Sequence, residues 1–87
     1  MSEHLAAAQW ALRAAQWGDI MRLAAACQMI VTYSGQYGNI DVRGPYGFVG
    51  GMGGDVDYAL KSTLTQMHEW VNNQAPEWMR ERVKGTL

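Results

Sequence analysis

The chain has 87 residues, 48% of them apolar, with four Trp, six Met and a formal charge of −1. That length allows a single domain, and the near-neutral balance excludes both the basic surface of a nucleic-acid binder and the acidic excess of a DNA mimic. A chain of this size buries only about 60–65% of its unfolded surface, so the large apolar share predicts self-association.

The opening MSEHLAAAQWALR has no basic segment leading into an uninterrupted apolar run, which predicts no signal peptide. Arg13, Asp19 and Arg22 break the apolar stretches, so no membrane span is expected. The one cysteine, Cys27, lies in LAAACQMIV and reads as a buried, reduced thiol in a cytoplasmic protein.

Ser2 is the expected N-cap of a long first helix, with Glu3 in its first turn. Strong helix formers continue to about Tyr33, although the β-branched and aromatic residues of Ile30–Ser34 leave that segment open between helix and strand. Two apolar seams run along this helix at three- and four-residue steps. Leu5, Ala8, Leu12, Ala15, Leu23, Cys27 and Ile30 form one; Trp10, Ala14, Trp17, Met21, Ala24 and Val31 form the other. Two seams exceed the single stripe of a surface helix. One is expected to pack on its own chain and the other on a second copy, with Trp10, Trp17 and Met21 at the interface. The alternative is a central helix covered on both sides within one chain. Gly18-Asp19 could break the helix, but both seams keep phase across it, so one helix is expected.

Asp41 to Asp55, DVRGPYGFVGGMGGD, holds six of the ten glycines. Residues 38–43 alternate polar and apolar as a half-buried strand does. Gly44-Pro45 signals a turn, and Tyr46-Gly47-Phe48-Val49 can return as a second strand. A hairpin over about 38–49 follows, with Ile40 and Val42 inward and Asn39, Asp41 and Arg43 outward, and Gly50–Gly54 is then expected as a flexible lead into the next helix.

Asp55 is the expected N-cap of a helix over about 55–73, with Asp57 in its first turn. Val56, Leu60, Leu64, Met67 and Val71 form its apolar stripe. Asn72-Asn73 ends it. Pro76 then opens a short helix over about 76–84, with Trp78, Met79 and Val83 turned inward. The fold class is α+β, mostly α.

The glycines do not form a phosphate grip. Counting from Gly51 and Gly53, the sixth position of a dinucleotide fingerprint is Val56, and Lys61-Ser62 lies inside a helix behind Leu60. Asp55 and Asp57 occupy the helix end that would meet a phosphate. His4 and His68 have no partner at metal-ligand spacing. Cys27 sits on a helical seam far from any cationic cluster, and His68 lacks a third residue to orient it. No catalytic residue, metal ligand or cofactor is therefore expected, and the chain reads as non-enzymatic.

Recognition remains. Arg43, Tyr46 and Phe48, with Tyr37 just before them, are residue types enriched at binding surfaces. Alternatively, Tyr46 and Phe48 close a small core. The four tryptophans are expected in the core or at a subunit interface. Two functions fit: an oligomeric protein that masks a protein partner, as inhibitors from phages and mobile elements do, or a sponge holding a nucleotide-like ligand between chains. A small enzyme or accessory subunit is a distant third.

Overall fold

The computed structural model describes residues 3–35 and 38–86. Ser2 and Tyr37 lie outside the described residues. The order is α1 (Glu3–Cys27), β1 (Ile30–Ser34), β2 (Asn39–Gly44), β3 (Gly47–Met52), α2 (Val56–Asn73) and α3 (Glu77–Thr86). The chain is α+β and mostly helical, as its sequence indicates.

Helix α1 runs unbroken through Gly18 but stops at Cys27, six residues before the expected end at Tyr33. Gln28 takes a left-handed conformation (φ 56°), and the Met29 N–H donates to the Ala24 carbonyl at 2.8 Å. This is the six-to-one bond of a Schellman cap. Glycine is the usual residue at that position, so a glutamine there gives no stop signal. The β-branched segment that follows, Ile30-Val31-Thr32, then extends as a strand.

The expected hairpin is thus part of a three-stranded antiparallel sheet in the order β1-β2-β3. Val31 pairs with Val42 and Tyr33 with Ile40. β3 reaches Met52, so Gly50 and Gly51 lie in a strand and not in a flexible lead. Val42 faces Gly50 while Arg43 faces Phe48, which leaves Val49 as an extra residue, a bulge. Gly50 lies against α2: a Cβ there would come within 2.6 Å of the Gln66 side-chain oxygen. Its absence lets helix and sheet close up.

The helices share one face of the sheet. α2 packs on β2 and β3, and α1 packs on β1, α2 and α3. Ile40 and Val42 point inward as the alternation predicts, and they share one buried cluster with Leu60, Met67 and Met79. From α1 the core receives Ile20, Leu23, Ala24 and Cys27. That line runs between the two seams read from the sequence and includes Ile20, which neither contained. Burying each large side chain stabilises by roughly 1.5–3 kcal/mol.

Asp55 caps α2 as expected, accepting from the Asp57 and Tyr58 N–H groups at 2.7 and 3.3 Å. In α3, Met79 and Val83 are buried but Trp78 turns outward, against expectation, with Arg82 over its ring. Met79 and Val83 are four apart and set the buried line; Trp78 falls on its flank.

The N-terminal half of α1 lies largely outside this body. Leu5, Trp10 and Leu12 are exposed, whereas Ile20, Leu23 and Cys27 on the same helix are fully buried. The radius of gyration is 13.7 Å and the longest axis 45 Å, against a radius of about 12 Å for a compact chain of this length.

Candidate functional site

Two surfaces stand out. The first is the outer face of the sheet, which no helix covers. Register places Ile30, Arg43 and Phe48 in one row across β1, β2 and β3. Ile30 is 70% exposed and Phe48 60%. Tyr46, in the tight turn between Gly44 and Gly47, is 67% exposed. The core-closing alternative for Tyr46 and Phe48 is therefore excluded. Arg43 also points outward, and its Nε donates to Asp41 at 3.3 Å. That ion pair offsets the charge Arg43 could offer an anion. Tyr37 lies outside the described residues, so it is not placed at this face.

The second surface is a groove of about 420 Å³ where α1 leaves the body. Trp10, Arg13, Ala14, Trp17, Tyr33 and Val56 line it. Trp17 meets Tyr33 edge to face, with ring centroids 5.3 Å apart. The Arg13 guanidinium lies 5.5 Å from the Trp10 ring and holds both carboxylate oxygens of Asp57. Each partner shifts the other: Asp57 is held below its ordinary carboxylate range, mainly by the hydrogen bond from Arg13, and Arg13 is raised by the same bond.

Of the residues expected at a subunit interface, Trp10 and Met21 are exposed, and Trp17 is half-buried against the core. Trp70 belongs to the core. Sequence reasoning missed Tyr33 and Arg13 as parts of the groove. The sequence leaves Ile30–Ser34 open between helix and strand, so the direction of Tyr33 is not readable, and the Arg13–Asp57 contact joins positions 44 apart, which no local spacing reports.

Cys27 is fully buried. Desolvation pushes its thiol above the ordinary value and outweighs the opposing charge of Arg82. Such a thiol stays protonated and is a poor nucleophile. His68 is exposed on α2. No group of three or more metal-capable side chains comes together among the described residues. No described helix is long and apolar enough to cross a membrane. Compared with protein-family models, characterised proteins and solved structures, the chain matches none.

Proposed function

We propose that this chain is a small non-enzymatic binding protein of the cytoplasm that self-associates and acts by occupancy. It masks a protein partner, in the manner of inhibitors carried by phages and mobile elements. The observation that carries this reading is the uncovered outer face of the sheet. Ile30, Arg43 and Phe48 form an apolar–cationic–aromatic row there, continued by Tyr46 at the turn. Aromatic residues and arginine are the types that dominate protein–protein contacts. An open sheet face suits a protein surface better than a small ligand, which needs an enclosing site. The exposed α1 residues Trp10 and Met21 support self-association on a different side of the molecule.

Site-specific photocrosslinking tests this. A photoreactive amino acid replaces Phe48 in cells that naturally carry the protein. The expected result is one dominant adduct with a different protein, diminished by Tyr46→Ala and by Arg43→Ala. Adducts only with copies of the same chain, or none, would overturn the masking role.

A further inference from the structure

The two edges of the sheet are treated differently. At β3 the Gln66 side chain imitates a neighbouring strand. Its Oε1 accepts from the Gly51 N–H at 3.3 Å, and its Nε2 donates to the Gly51 carbonyl at 3.4 Å. At β1 nothing comparable occurs: among the described residues, β1 has backbone partners only in β2. Alternate residues of such an edge turn N–H and C=O groups to solvent.

β1 also lacks the usual defences of an open edge. It carries no charge, proline or bulge. No charged residue lies anywhere between Arg22 and Asp41. Its sequence, IVTYS, is β-branched and aromatic at four of its positions, which favours pairing.

We infer that β1 pairs antiparallel with β1 of a second copy, joining two sheets into one of six strands. This rests on the self-association part of the proposed function. The strand suits itself in a two-fold register centred on Thr32. Val31 then lies opposite the second copy's Tyr33, on the inner face that both already occupy through Val42 and Ile40. On the outer face Thr32 meets its own copy, and Ile30 meets Ser34. Aromatic–β-branched and Thr–Thr pairs are favourable cross-strand neighbours. An uncharged strand sets no like charges against each other at the two-fold axis. The contact is two-fold, and Gln66 occupies the opposite edge at Gly51, so the assembly closes as a dimer.

The flanking surface agrees. Tyr33 on β1 contacts Trp17 and lines the groove that includes Trp10. The exposed aromatic surface of α1 therefore adjoins the strand edge and can enlarge an interface that five residues of strand alone would leave too small. The joined sheet also presents two copies of the Ile30–Arg43–Phe48 row on one continuous outer face.

A charge-swap experiment tests the register. Thr32 is exposed, so Thr32→Lys and Thr32→Glu are expected to keep the fold, checked by circular dichroism. By analytical ultracentrifugation the unaltered chain is expected to be a dimer. Each variant alone places like charges at the axis and weakens dimerisation by about tenfold or more. An equimolar mixture of the two variants restores it as a heterodimer. Amide exchange at residues 30–34 is expected to slow as the unaltered chain dimerises. If the unaltered chain is an oligomer but both variants self-associate equally well, the strand pairing is wrong while self-association stands. If the chain is a monomer at every concentration tested, both fall. Exchange at residues 30–34 that slows only when a foreign protein is added would assign the edge to that partner and overturn pairing with a second copy.

Discussion

The Arg13 guanidinium grips Asp57 with two hydrogen bonds, Nε to Oδ1 at 2.7 Å and Nη2 to Oδ2 at 3.1 Å. This fork ties α1, at the point where it leaves the body, to the first turn of α2. Both side chains keep contact with solvent, so the pair fixes an angle more than it holds the fold together. The Asp57 carboxyl is held below its ordinary 3.8, mainly by the bond from Arg13. The pair's contribution is therefore present above that value and is lost as pH falls through the lower, folded-state value. Melting temperature followed from neutral to acid is expected to drop less in Asp57→Asn than in the unaltered chain. Asp57 titrating by NMR at its ordinary value would contradict the contact.

Thr63 sits wholly inside the core of α2, and its hydroxyl oxygen has no hydrogen-bond partner among the described residues. A buried hydroxyl without a partner costs free energy that a methyl group of the same size does not. Thr63→Val is expected to stabilise the protein by about 1 kcal/mol in urea unfolding. A loss of similar size would mean that the hydroxyl has a partner, such as a buried water.

Burial raises the Cys27 thiol above its ordinary 9.0. Neutral thiol is favoured in the fold, so stability is unaffected below that value. It declines as pH climbs past the unfolded-state value, where the unfolded chain gains thiolate first. Ellman's reagent is expected to label native Cys27 far more slowly than the urea-unfolded chain. Rapid labelling of the native protein would show that the α1–α3 contact opens readily.

Local chemistry made much of this fold legible. Asp55 announced α2 because a cap is a short-range device. Leu60, Met67 and Val71 announced its buried side because periodicity needs only one helix; Val56 and Leu64 of the same stripe are half-buried at its margin. Ile40 and Val42 announced the inner face of β2 in the same way. β1 was legible only as one of two readings of Ile30–Ser34, because the α1 cap uses Gln28, where no glycine marks the stop. The true buried line of α1 was hidden because its two halves obey different demands. Leu23 and Cys27 answer to the core, whereas Leu5 and Leu12 lie in phase with them but outside it. Tyr46 and Phe48 were legible as candidates, but only register and exposure could separate a surface from a core. The Arg13–Asp57 fork was beyond reach, because tertiary folding alone brings those positions together.

Gly38, in the turn just before β2, has φ 63°, where side chains are disfavoured. A Cβ at that position would also run into the Gly54 carbonyl, which is backbone and has little freedom to move. Gly38→Ala is expected to destabilise by roughly 2 kcal/mol or more. Chemical denaturation measures it, and a loss below 0.5 kcal/mol, the usual range of a surface change, would show that the Gly38–Gly54 approach is looser.

One continuous helix, α1, has a buried half and an exposed half. Ile20 is fully buried and Leu12, two turns earlier, is 58% exposed. Ile20→Ala leaves a cavity and is expected to cost about 2–5 kcal/mol. Leu12→Ala removes a side chain that already faces water and adds a better helix former, so it is expected within about 0.5 kcal/mol of the unaltered chain. The measurement is unfolding at low protein concentration, where self-association does not contribute. Trp10→Ala is expected to behave like Leu12→Ala in that assay yet to weaken dimerisation, because the Trp10 ring lies in the groove beside Tyr33 and the β1 edge. Equal losses from Ile20→Ala and Leu12→Ala would mean that the arm folds back on its own chain in solution. The surplus apolar surface of α1 would then be spent within one copy.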